Sequence, residues 1–187
     1  MIFMIISISG NAGSGKSTAA KALSERLGMK RYYMGAMRRQ KAAERGITLD
    51  AYNKLGEIDP TTDTEIDEYV KHLGETEDNF IIESRTAWHF IPRSFKIFLT
   101  VDPKEAARRI IEQFKEDPTG RNETRYQTID EAIAGLAARN ESDRKRYLKY
   151  YGIDIFNPAN FDLIIDTTSI LPEETLEKMI QSLPTIK

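Results

Sequence analysis

One stretch limits the possible folds more than any other: Gly10-Asn11-Ala12-Gly13-Ser14-Gly15-Lys16-Ser17, which fits the pattern G-x-x-x-x-G-K-[ST]. Glycines let a backbone turn tightly and bring successive N–H groups to face one anion. The residues before it, Met1 to Ser9, are apolar and β-branched and read as a buried strand. The residues after it, Thr18 to Leu27, read as a helix with Ala19, Leu23 and Leu27 on one face and Gly28 as the stop. Strand, glycine loop and helix is the order in which this pattern grips a phosphate chain at a helix N-terminus. The nucleotide cradle is therefore expected at Gly10, Asn11, Ala12, Gly13, Ser14, Gly15, Lys16, Ser17 and Thr18. Lys16 is expected to reach the β- and γ-phosphates and Ser17 to turn its hydroxyl to Mg²⁺.

The rest of the chain alternates. Met29 to Tyr33 reads as a short strand. Three short helices follow: Ala36 to Arg45, one capped by Thr48 that ends near Gly56, and one with a Thr62–Glu65 capping box that ends near Gly74. Phe80 to Glu83 and Phe95 to Val101 read as strands, with a brief helix or turn over Trp88 to Ile91 between them. Asp102-Pro103 opens a helix that runs to about Lys115. Glu116 to Gln127 is a polar loop, and Thr128 with Glu131 caps the longest helix, Ile129 to Tyr151. Phe161 to Asp166 is a last strand and Pro172 to Leu183 a last helix. Such alternation implies an α/β domain with a parallel sheet, and ligands of such sheets bind beyond the carboxyl ends of the strands. The glycine loop, Gly35 to Arg39 and Glu83 to Arg85 all follow strands, so they face one crevice.

Composition removes several alternatives. With 187 residues the chain is long enough for one well-cored domain. It has no cysteine, so thiol catalysis and disulfides are excluded. Lys and Arg total 27 against 29 Asp and Glu, and a formal charge of −2 gives no reason to expect a nucleic acid partner. The apolar start lacks a basic region, and no run approaches membrane-spanning length. A cytoplasmic protein is expected.

Chemistry must come from cations placed around the glycine loop, because phosphoryl transfer depends on positioning and charge. Arg139, Asp143 and Arg146 recur at i, i+4 and i+7 on the long helix, so all three share a face. Asp143 is within one turn of both arginines, and the same spacing also fits a solvated, salt-bridged helix. Arg39 and Arg85 follow strands and can clamp a phosphate. Arg108, Arg109, Arg121 and Arg125 flank the polar loop, which could close over the site. Glu83 ends a strand and can hold Mg²⁺ through water; Asp102 competes for that role but reads better as a helix cap. His72 and His89 share no metal or triad spacing, and Trp88 to Phe90 reads as packing.

Together the segments ISGNAGSGKST (8–18), GAMRR (35–39), IIESR (81–85), SFKIFLTVD (94–102) and RNESDRKRYLKYYGID (139–154) resemble the nucleoside monophosphate kinases, most closely cytidylate kinases of the archaeal-like type. The resemblance implies the P-loop NTPase fold: a five-stranded parallel sheet flanked by helices, with a helical acceptor lobe and a lid. In these terms the core is 1–33, 76–115 and 128–187, the acceptor lobe is 34–75 and the lid is about 116–127. It implies ATP and Mg²⁺ as cofactors and CMP or dCMP as acceptor, with a monomeric protein that engages neither nucleic acid polymers nor membranes. Lys16, Arg85, Arg139 and Arg146 are then expected to be catalytic. Gly35, Arg39, Glu83, Arg85, Arg139, Asp143 and Arg146 bind the acceptor, and Ser17 and Glu83 the metal. Ser84 stands where the family usually has Gly. Thr86 stands where the bacterial form has an Asp that reads cytosine, which leaves base choice open. A kinase with a different small-molecule acceptor, or a nucleotide-binding module without transfer, are the alternatives.

Overall fold

The computed structural model describes residues 4–116 and 123–184. Five parallel strands run β1 (Ile5–Gly10), β2 (Lys30–Tyr33), β3 (Phe80–Glu83), β4 (Phe95–Thr100) and β5 (Leu163–Asp166). They stand in the order β2-β3-β1-β4-β5. β1 lies at the centre, and every residue of it is buried, as a near-continuous apolar strand in a doubly covered sheet requires. The chain leaves β1 to one side for β2 and β3, then crosses to the other for β4 and β5. A crevice therefore opens at the carboxyl end of β1.

The two faces are covered by different helices. Ile6, Ile8, Ile81, Ile97 and Leu99 pack with Ala19, Ala20 and Leu23 of α1 (Lys16–Leu27) and Met179 of α8 (Pro172–Ser182). Ile5, Phe80 and Ile82 face the other way, towards Ile66, Val70 and Leu73 of α4 (Thr61–Thr76) and Ala87 of α5 (Ala87–Phe90). Successive strand residues point to opposite faces, so one short strand feeds both cores. Trp88 and Tyr147 form a third cluster with Ile155. The packing reading of Trp88 therefore holds, and its indole N–H donates to the Arg85 carbonyl at 3.0 Å.

Three helices separate β2 from β3, as expected: α2 (Met34–Glu44), α3 (Leu49–Gly56) and α4. The cap of α3 is realised, with Thr48 accepting from the Ala51 N–H at 3.2 Å. The Thr62–Glu65 box is not. Pro60 takes the N-cap position, the Asp59 carboxylate accepts from the Thr61 N–H at 3.0 Å, and Thr62 is buried inside the first turn. A proline pre-set for a helix start moved the cap upstream. Asp102 caps α6 (Pro103–Glu116) through the N–H groups of Lys104 and Glu105, at 2.8 and 3.2 Å, and so is spent. Thr128 caps α7 (Ile129–Tyr151), accepting from Glu131 N–H at 3.2 Å.

Half of the expected lid, 117–122 with Arg121, lies outside the described residues. No described helix is long and apolar enough to cross a membrane.

Candidate active site

The glycine loop joins β1 to α1. Gly10 and Gly13 have positive φ, and a Cβ at either would strike backbone atoms, of Leu99 or of Ala106, within 3 Å. Only glycine fits these two places. The Asn11 N–H donates to the Leu99 carbonyl at 3.1 Å, which ties the loop to β4. No side chain caps α1. The orphan N–H groups of its first turn therefore remain for a ligand, at the positive end of the helix dipole.

This loop lines a cavity of about 270 Å³. Lys16 sits in its wall, where its ammonium donates to the Asn11 carbonyl. Burial, and then the Arg85 guanidinium, pull the Lys16 ammonium down to about 7. An anion in the cavity would reverse that shift. Ser17 donates to Glu83 Oε1 at 2.7 Å, and Arg31 holds the other Glu83 oxygen at 3.0 Å. A hydroxyl and a carboxylate side by side are hard oxygen donors. They fit Mg²⁺, which takes few protein ligands and leaves the remainder to water and phosphate.

Arg39, Arg85 and Arg139 reach the same cavity from α2, from the turn after β3 and from α7. Arg85 donates to the Gly10 carbonyl at 2.7 Å and pairs with Asp143 at 2.9 Å. Arg85 is thus clamped between the loop and the long helix. Burial works against ionising Asp143, yet Arg85, Arg146 and Arg139 hold its carboxyl down at about 2. Arg39 lies over the Tyr33 ring, 4.9 Å from its centroid. Glu123 bridges Arg39 and Arg139, at 3.1 and 3.3 Å. Sequence reasoning missed this carboxylate, because a single acid in a polar loop carries no periodic signal.

Two expectations about the long helix need correction. Asp143 pairs with Arg85 and Arg146, while Arg139 turns to Glu123. Arg146 has a side chain with no exposed surface, held by Asp63 and Asp143, and it lines none of the cavities described here. It joins α7 to α4. Arg108 is committed elsewhere, whereas Arg109 is anchored by its partners yet lines the glycine-loop cavity. Arg108 pairs with Glu105 and Glu112, and Arg109 donates to the Thr167 carbonyl at 2.7 Å. Arg125 is exposed and lines none of these cavities.

Two further cavities adjoin the first. One, of about 70 Å³, continues behind Gly35, Ser84, Arg85 and Arg139 into the helical lobe, where Arg38, Asp63 and Asp67 line it. The other, of about 430 Å³, starts from Ser14, Gly15 and Thr18 and runs between α6 and the segment 167–172. The glycine loop thus has a pocket on either hand.

Residues 5–169 match the model of the cytidylate kinase-like family. The chain belongs to that family. The match takes in the glycine loop, the helical lobe and α7. Among curated relatives, the cytidylate kinase of Pyrococcus furiosus is 37% identical over 171 residues, covering 91% of this chain and 83% of that protein. The cytidylate kinase of Archaeoglobus fulgidus is 34% identical over 181 residues, covering 96% and 94%. A solved shikimate kinase from Bacteroides thetaiotaomicron shares the fold alone, with a TM-score of 0.65 at 13% identity over 97% of this chain and 99% of that one. The chain is an enzyme of the nucleoside monophosphate kinase class, with the five-stranded P-loop kinase fold that its sequence implied.

Proposed function

We propose that the protein transfers the γ-phosphoryl group of ATP to CMP or dCMP, giving ADP and CDP or dCDP. One observation carries the reading. Lys16 and the guanidiniums of Arg39, Arg85 and Arg139 line a single cavity with the glycine loop, and that cavity continues into a second, polar one inside the lobe. A triphosphate on the loop and a monophosphate among the arginines would then meet end to end. The membership of the family and its curated cytidylate kinases supports CMP as the acceptor.

In this reading residues 34–75 form the acceptor lobe and the donor base occupies the cavity between α6 and 167–172. An acceptor phosphate oxygen attacks the γ-phosphorus, the new O–P bond forms, and the bond from γ-phosphorus to the β,γ-bridging oxygen breaks. Charge gathers on the transferring oxygens, where Lys16, Arg85 and Arg139 offset it. Arg39 holds the acceptor phosphate. Asp143 and Arg146 are positioning residues, since they touch other side chains and fix Arg85. Ser17 and Glu83 would hold Mg²⁺, which supplies charge neutralisation on the phosphates. Glu123 occupies the anion's place between Arg39 and Arg139 and gives way to it.

A coupled assay of ADP release tests this directly. ADP should form from ATP in proportion to CMP or dCMP and saturate. Folded protein that responds equally to every nucleoside monophosphate, or to none, removes the proposal.

A further inference from the structure

The small cavity behind Arg85 carries three acids, and one differs from the other two. Asp63 accepts from Arg38, Arg146 and Tyr147, and Asp143 from Arg85 and Arg146. Asp67 meets no guanidinium in any hydrogen bond or ion pair found among the described residues. Its oxygens accept from the Thr86 hydroxyl at 2.5 Å and the Tyr151 hydroxyl at 2.8 Å. A carboxylate has about four lone-pair sites, so capacity is left over. Arg38 lines the same cavity. Its Nε donates to Asn53 at 2.7 Å and its Nη1 to Asp63 at 2.6 Å, but its Nη2 is buried with no hydrogen-bond partner. Buried polar atoms are seldom left so.

Arg139, at the mouth of this cavity, also has a buried, unpartnered Nε, but Arg38 Nη2 is the one that lies in the lobe with Asp67, so the wall there offers an unused donor and a carboxyl with unused lone pairs. Their complement is a ring edge with an acceptor next to an amine, as a 4-aminopyrimidin-2-one presents. A 4-oxo ring in the same pose would aim a carbonyl oxygen at a carboxylate. We infer that Asp67 and Arg38 choose the acceptor's base, with Asp67 accepting from the exocyclic amine and Arg38 Nη2 donating to the adjacent ring acceptors. The inference rests on the acceptor reading given above. Thr86 holds the Asp67 carboxyl and is a positioning residue.

The ionisation of Asp67 adds a consequence. Burial pushes its carboxyl up to about 6, against the Thr86 and Tyr151 hydroxyls; Asp63 adds to the rise and Arg38 opposes it. Tyr147 of α7 is the other titratable group facing this acid, and burial keeps it neutral. Once protonated, Asp67 becomes a donor and accepts a 4-oxo base more readily. Discrimination between CMP and UMP therefore weakens as pH falls through about 6.

The test compares kcat/KM for CMP and UMP in the wild type and in Asp67→Asn, whose amide can present either oxygen or nitrogen to the base. The CMP:UMP ratio should fall at least about tenfold in the variant, mostly through acceptor KM, because a polar group built to pair rejects the wrong edge strongly. Thr86→Val should lower the ratio less. An unchanged ratio in Asp67→Asn overturns the inference while leaving CMP phosphorylation intact. Wild type that turns over no pyrimidine monophosphate removes the acceptor reading and this inference with it. The wild-type ratio at pH 7.5 and pH 5.5 gives a second measurement that needs no variant. Both substrates carry the same phosphate, so a ratio that stays flat between those pH values also overturns the inference.

Discussion

The two walls of the site are made in opposite ways. The glycine-loop wall is backbone, eight consecutive residues from the end of β1 into the start of α1, and it needs only N–H groups, two close-packed glycines and one lysine. The lobe wall is side chain. Its arginines come from α2, from the turn after β3 and from α7, and each is held by a carboxylate from another part of the chain: Arg85 by Asp143, Arg39 and Arg139 by Glu123. A backbone wall tolerates changes of side chain around it. A wall of paired charges depends on every partner, because a buried ion left alone costs far more than the pair contributes.

That contrast predicts unequal damage. Asp143→Asn strips the charge that balances Arg85 and Arg146 and should cost about 3–5 kcal/mol of stability, lowering the melting temperature by roughly 10 °C. A shift within 2 °C would show that the network is not what holds the lobe to α7. Lys16→Ala should leave the fold intact and lower kcat by about 10²–10³ without changing CMP affinity. Because Lys16 starts near 7 and phosphate raises it, wild type should also take up part of a proton on binding ATP at pH 8, where the ATP phosphates are already ionised. Calorimetry in buffers of different ionisation enthalpy reads that uptake, and Lys16→Ala should lose it. Arg39→Ala should raise acceptor KM by about tenfold to a hundredfold, as loss of a charged hydrogen-bonding group does, and leave ATP binding alone.

The smallest effect concerns stability and pH. The Asp67 carboxyl sits higher in the fold, at about 6, than in an unfolded chain. Its contribution is therefore fully present below the unfolded value and is lost as pH rises through about 6. Asp67→Asn should stabilise the protein by up to about 2 kcal/mol at pH 7.5 and by little at pH 4, in chemical denaturation. A variant less stable than wild type at pH 7.5 would contradict the burial argument.

The same contrast explains what the sequence disclosed. The loop wall was legible because its signal is contiguous: glycine spacing, a lysine, a strand before and a helix after. Five strands and the three-helix insertion were legible for the same reason, through apolar runs and stop residues. Arg39, Arg85 and Arg139 were found by their places after strands or on the long helix, and they do converge. Their partners were not found. Nothing local links Arg38 to Asp63, Thr86 to Asp67 or Arg39 to Glu123; only the folded lobe brings them together. Arg146 shows the risk of reading a helix face alone, since periodicity places it beside Asp143 but cannot say that α4 already covers it. The Thr62 cap failed on a smaller scale, where Pro60 decided the helix start.

The most direct test of the two-wall account is calorimetric titration of CMP with and without a saturating non-hydrolysable ATP analogue and Mg²⁺. Two separate phosphate sites predict that CMP binds at one-to-one stoichiometry in both titrations, with an affinity the analogue leaves equal or improved. Loss of CMP binding when the analogue fills the glycine loop would mean that both nucleotides compete for one site, and the account would fail.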